Sequence, residues 1–227
     1  MKRQHGFLQG FVMATLMLVV AAGMGFSPRA QGAAMRPLKL VALGDSLTAG
    51  YSLPGEAAFP AVLERALRAK GYAVSIANAG VSGDTTSGGL ARLDWSVPDG
   101  TDGVILELGA NDMLRGIDPN IPRQALDEIL ARLRERGIPV LLTGMYASRN
   151  LGAEYVARFE AIFPDLAKKH GVPLYPFFLD GVAGVRELAL PDGLHPTAKG
   201  VQVIVERILA TVEGFVAQLA ARQRPGG

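Results

Sequence analysis

The sequence contains no cysteine, one tryptophan and only three histidines. Without cysteine there are no disulfides, no thiol nucleophile and no thiolate metal site. Three histidines with no His-x-x-x-His pair offer little to hold zinc, so neither a metal nor another cofactor is expected. The missing disulfides do not argue against secretion, because a domain of roughly 190 residues buries an ample core without them. A basic surplus is also lacking, despite the formal charge of +2. Lys2, Arg3 and Arg29 lie in the first 34 residues, which hold no Asp or Glu, and the rest of the chain has 20 basic and 21 acidic residues. No excess remains for phosphate contacts, and no nucleic-acid partner is expected.

What is present is an ordinary globular composition, 49% apolar and 19% charged over 227 residues. That length suits a single domain. Residues 1–34 read as a signal peptide: Lys2 and Arg3, then the uncharged run Phe11–Phe26, then small residues at Ala30, Gly32 and Ala34. The alternative is an uncleaved anchor, since the run approaches the roughly 18–20 residues that span a bilayer. Gly23, Gly25 and Pro28 end it early and favour cleavage. Lys2-Arg3 is not a twin-arginine pair, so export as an unfolded chain is expected. The expected product is a periplasmic or secreted monomer without a membrane span, with its domain over 35–221 and a disordered tail over 222–227.

Short apolar runs alternate with helical patterns after Pro37. Strands are expected at Leu38–Leu43, Ala73–Ala77, Gly103–Leu108, Pro139–Thr143 and Val172–Tyr175. Their near-continuous apolarity suits parallel strands covered on both faces. Helices are expected near Ala57–Lys70, Leu90–Ser96, Arg123–Arg136, Glu154–His170 and Thr197–Ala221, with Gly71, Gly137 and Gly171 as caps. This alternation predicts an α/β fold: a three-layer α/β/α sandwich, flavodoxin-like, on a five-stranded parallel sheet. Ligands in such folds bind beyond the carboxyl ends of the strands.

The loop after the first strand is Gly44-Asp45-Ser46-Leu47. Alone it reads either as a turn or helix cap, or as a nucleophile exposed at the sheet's mouth. It is not the Gly-x-Ser-x-Gly elbow, since Thr48 stands at the last glycine's place. A serine nucleophile needs a base. His5 belongs to the leader, and His170 sits at a helix end, where its side chain suits the dipole. His195 remains, in Asp192-Gly193-Leu194-His195-Pro196, with a carboxylate three residues upstream able to orient the imidazole. Asp192-Gly193 reads equally as a plain turn, with His195 entering a helix. The loops Asn78–Gly88 and Gly109–Gly116 follow strands two and three, so the first three loops all face one cleft.

The four blocks Gly44-Asp45-Ser46-Leu47, Gly83 within Ser82-Gly83-Asp84-Thr85, Gly109-Ala110-Asn111-Asp112 and Asp192-Gly193-Leu194-His195 resemble those of the SGNH hydrolases, the GDSL lipases and esterases. The likeness spans nearly all of the chain beyond the leader. It is strongest to the periplasmic thioesterase, lysophospholipase and arylesterase type, a likeness to which Glu160–Pro164 and Val172–Phe178 add. The resemblance implies Ser46 as nucleophile, His195 as base and Asp192 as its orienter. It implies an oxyanion hole of Ser46 N–H, Gly83 N–H and the Asn111 amide. Asp45 and Asp112 are assigned structural hydrogen bonds, and Ala110 replaces a glycine common in close relatives. The same resemblance implies an acyl pocket bordered by Met113, Leu114, Met145, Tyr146 and Leu151, although ordinary loop packing accounts for these residues equally well.

The substrate implied is a small-molecule or lipid-like carboxylic ester or acyl-thioester. One alternative is an O-acetylesterase acting on cell-envelope carbohydrate. Another is a non-catalytic flavodoxin-like module holding phosphate or flavin at Gly44–Thr48. Trp95 is expected to pack beside the second loop, and Arg132–Arg136 to form a solvated helix end.

Overall fold

The computed structural model describes residues 36–223. The leader and all but the first two residues of the 222–227 tail lie outside them. Five strands form one parallel sheet in the order β2-β1-β3-β4-β5. They are β1 (Leu38–Gly44), β2 (Val74–Gly80), β3 (Gly103–Glu107), β4 (Val140–Thr143) and β5 (Leu174–Tyr175). The five expected strands are all present, with β2 longer than expected and β5 reduced to two residues. Every residue of β3 and β4 is buried, which explains why their sequences lack a polar alternation.

The helices are α1 (Ser46–Ala49), α2 (Phe59–Ala69), α3 (Thr86–Ala91), α4 (Leu93–Ser96), α5 (Ala110–Leu114), α6 (Asn120–Glu135), α7 (Ala153–Glu160), α8 (Ile162–His170) and α9 (Ala198–Arg222). α2 packs with α9, while α3, α6 and α8 pack together. Right-handed crossovers account for the two groups. The chain leaves β1 in one direction to form β2, then returns to β3 and moves the other way through β4 and β5, so its crossover helices fall on opposite faces. The reversal lies between β1 and β3, where the loops at their carboxyl ends diverge and open a crevice.

Local chemistry explains most boundaries. Thr85 caps α3 by accepting from Gly88 N–H at 3.2 Å, which starts that helix ahead of the expected Leu90. Gly71, Gly137 and Gly171 take positive φ just beyond their helices, as expected. The helix expected over Glu154–His170 is instead two helices meeting at Ala161. Pro164 has no N–H to offer the carbonyl four residues back, so an unbroken helix loses a bond at the junction. α9 continues through Arg222, one residue past its expected end at Ala221.

Four side chains depart from expectation. Trp95 is 72% exposed, because α4 buries Leu93 and Ser96 on its opposite face. The end of α6 is not merely solvated: Arg132 pairs with Asp94, and Arg136 donates to the Val97 carbonyl at 2.6 Å. His170 does more than end a helix, since its ring is buried with Nε2 2.6 Å from Asp127 Oδ1 of α6.

Candidate active site

Ser46 is the first residue of α1, directly beyond β1, at the crevice between β1 and β3. Asp45 caps this helix by accepting from Leu47 N–H at 2.9 Å. The turn is tight: a Cβ on Gly44 would lie 2.1 Å from Thr48 Oγ1 and 2.7 Å from the Glu107 carbonyl oxygen, so only glycine fits. Ser46 is thereby held at the sheet's mouth, where it lines a cavity while remaining largely buried.

His195 arrives from a loop held shut at its base. Leu190 N–H donates to the His195 carbonyl at 2.7 Å, and Thr197 N–H to the Leu188 carbonyl at 2.8 Å. Ala189 and Pro196 form an antiparallel bridge between them. The ring meets two partners. Nδ1 lies 2.7 Å from Asp192 Oδ2, and Nε2 lies 2.9 Å from Ser46 Oγ, across 149 residues of sequence. The other oxygen of Asp192 accepts from the N–H groups of Leu194 and His195 at 2.9 and 3.0 Å. Hydrogen bonds from the His195 backbone and ring, with that from Leu194, hold the Asp192 carboxyl down at about 2. Asp192 is therefore anionic at neutral pH and accepts from Nδ1–H. The Nε2 lone pair is left to receive the Ser46 hydroxyl proton.

The candidate oxyanion donors are only partly assembled around this pair. Ser46 N–H, at the first turn of α1, has no partner among the described residues. Asn111, on α5, lines the same cavity as Ser46 and His195. Its amide nitrogen donates to Asp45 Oδ2 at 3.2 Å, and its second N–H is uncommitted among the described residues. Gly83 does not line that cavity. Its φ is +83°, and its carbonyl accepts from Arg115 at 2.7 Å. Asp45 and Asp112 both make the structural hydrogen bonds expected, Asp112 accepting from Thr86 N–H and Oγ1 at 2.9 and 2.8 Å.

A second, fully buried carboxyl stands behind Ser46. Glu107, at the end of β3, accepts from Thr48 Oγ1 at 2.8 Å and Asp45 N–H at 3.3 Å, while its Oε1 has no partner. Burial, then the nearby Asp45 charge, pushes the Glu107 carboxyl well above the usual range, which favours its neutral form. Burial also lifts Asp45 to about 6, against the hydrogen bonds from Leu47 and Asn111. Sequence inspection passed over Glu107. Its one signal was a charged residue inside an otherwise apolar strand.

The cavity beside the triad has a volume of about 440 Å³. Of the residues expected to border it, Met113, Leu114, Met145 and Tyr146 do so, and Leu151 does not. Leu151 sits in the short 3-10 turn Arg149–Leu151, beyond the last lining residue of that loop, Ser148. Phe177, Leu179 and Val182, all missed, line the cavity instead, and Phe177 stacks on Tyr146 at 4.4 Å between ring centroids. Phe177-Phe178-Leu179, an apolar run in the loop after β5, was their only sequence signal. Tyr51, also missed, lies with its ring centroid 4.4 Å from that of His195.

A parallel three-layer sandwich with serine, histidine and aspartate bonded in series at its topological reversal defines a serine hydrolase. The chain belongs to the GDSL-like lipase/acylhydrolase family, whose profile matches residues 42–203. It is 40% identical over 169 residues to an arylesterase of Vibrio mimicus, covering 74% of this chain and 84% of that one. It is 40% identical over 158 residues to the thioesterase 1/protease 1/lysophospholipase L1 of Escherichia coli, covering 69% and 74%. The solved structure of AlinE4, an SGNH-hydrolase family esterase, shares 46% identity at a TM-score of 0.67 and covers 79% of this chain and 97% of that one. This membership favours acyl hydrolysis over the phosphate- or flavin-binding reading.

Proposed function

We propose that the protein hydrolyses carboxylic esters and acyl-thioesters with apolar acyl groups through an acyl-serine intermediate on Ser46. The observation that carries this reading is the series Ser46 Oγ, His195 Nε2, His195 Nδ1 and Asp192 Oδ2, with separations of 2.9 and 2.7 Å. Nε2 takes the hydroxyl proton as Oγ bonds to the acyl carbon, and Asp192 stabilises the imidazolium. The carbonyl oxygen becomes an oxyanion held by Ser46 N–H and the free N–H of Asn111. The intermediate collapses as His195 returns the proton to the departing alcohol or thiol. Water then repeats the sequence, its proton going to His195 and then to Ser46 Oγ, and the carboxylic acid leaves.

The aromatic and aliphatic lining of the cavity favours an acyl chain longer than acetyl over an acetylated sugar. The name of the Escherichia coli relative supports including thioesters. We also read the protein as exported, a reading that rests on the charged and apolar leader. No helix among the described residues is long and apolar enough to cross a membrane.

The test is a panel of aryl esters, acyl-thioesters, lysophospholipids and acetylated sugars, run with the intact protein and Ser46→Ala. Loss of hydrolysis in a folded Ser46→Ala protein, with organophosphate labelling at Ser46 in the parent, is expected. Persisting activity overturns the nucleophile.

A further inference from the structure

Tyr51 has no place in the arrangement above, yet its ring covers one face of the candidate base. The centroids of Tyr51 and His195 are 4.4 Å apart, with 34° between planes. Core packing does not put it there, since Tyr51 remains 45% exposed. The backbone does. Gly50 takes φ +80° at the end of α1, and Tyr51 N–H and Gly50 N–H both donate to the Ser46 carbonyl at 3.1 Å. Leu53 N–H then closes a turn onto the Gly50 carbonyl at 3.0 Å. Within that turn Ser52 has φ +59°, the one non-glycine residue with positive φ among the described residues. An L-residue disfavours this conformation, and such outliers persist where surrounding structure imposes them. Here the imposed turn carries an exposed aromatic onto an imidazole and is anchored on the nucleophile's own carbonyl.

We propose that Tyr51 is a positioning residue for His195, its ring face stabilising the imidazolium formed at each proton transfer and keeping water from that side. The proposal rests on His195 being the base. An aromatic face attracts a cation above it and does little for the neutral ring, so the contact strengthens when His195 gains its proton. The other groups placed around the imidazole are Asp192 at Nδ1, Ser46 at Nε2, and the Asp45 carboxyl behind the nucleophile. Asp192 and Ser46 meet the ring at its nitrogens. The phenol hydroxyl has no role in this account, so the aromatic face is what matters.

The experiment measures kcat/KM for a short aryl ester against pH in the parent, Tyr51→Phe and Tyr51→Leu. Leucine keeps apolar bulk over the imidazole but removes the aromatic face. We expect Tyr51→Leu to move the acidic limb down by about half a pH unit. Its plateau should fall about 2–5-fold. Tyr51→Phe should keep both the limb and the plateau of the parent. A limb in Tyr51→Leu that is unmoved or raised overturns the proposal, as does a Tyr51→Phe profile matching that of Tyr51→Leu. Full activity in Ser46→Ala and His195→Ala would instead sink the underlying catalytic reading, so the two failures are distinguishable.

Discussion

The side-chain amide of Asn111 donates to Asp45 Oδ2 at 3.2 Å, joining the loop after β3 to the residue that precedes the nucleophile. One N–H is thereby fixed, and the other is uncommitted among the described residues on a side chain that lines the cavity. Asp45 touches the candidate oxyanion site through Asn111 and through its cap on α1, the helix that begins at Ser46. Asn111→Ala should lower kcat by about 10²–10³ with a smaller change in KM. Asp45→Ala should lower kcat as well, and the double substitution should cost less than the product of the two single effects. Multiplying effects in steady-state kinetics of the three variants would show the two residues acting independently.

Asp192→Asn replaces the acceptor of Nδ1–H with a group that can present a donor and favour the wrong tautomer. A kcat loss on the order of 10³–10⁴ is expected in an otherwise folded protein. The same substitution has a signature in stability. The Asp192 carboxyl is held at about 2, below its ordinary 3.8, so it stabilises the fold above that ordinary value and ceases to as pH falls towards 2. Thermal unfolding should therefore decline less steeply for Asp192→Asn than for the parent over that acid window. Parallel curves would contradict the assigned hydrogen bonds.

Glu107 has the opposite sign. Its carboxyl is pushed well above 4.5 by burial, so the folded protein keeps a proton that the unfolded chain releases. Stability is full below that ordinary value and is lost as pH rises towards the raised one. Asp45, lifted from 3.8 to about 6, adds to the same trend. Glu107→Gln is neutral at every pH and can still accept from Thr48. Denaturant unfolding should show the parent losing stability as pH rises above the ordinary 4.5 while Glu107→Gln loses less. Equal losses in both would mean that Glu107 is ionised in the fold.

The stacked pair Tyr146–Phe177 sets one wall of the cavity. Phe177→Ala should raise KM for medium-chain acyl esters by about 2–10-fold while sparing acetyl esters. Leu151→Ala, outside the lining, should leave both series nearly unchanged. A chain-length profile that responds to Leu151 and ignores Phe177 would place the acyl group elsewhere.

Much of this protein was legible in its residues because the causes are local. Apolar runs such as Val104–Leu106 mark strands covered on both faces, and Gly71, Gly137 and Gly171 mark helix ends. Asp192 and His195, three residues apart, reach each other within one turn whatever the rest of the chain does. Their partner Ser46 is another matter: only the β1–β3 reversal and the pinned Leu188–Thr197 loop bring it within 2.9 Å of Nε2. The same holds for Tyr51 over His195 and for Phe177, Leu179 and Val182 in place of Leu151. Trp95, passed over by the core, depends likewise on what neighbouring layers leave room for. Backbone propensity and side-chain spacing act over a few residues and can be read in order along the chain. Contacts between distant segments depend on how whole elements pack, and that was decided only when the sheet and its helices closed around the crevice.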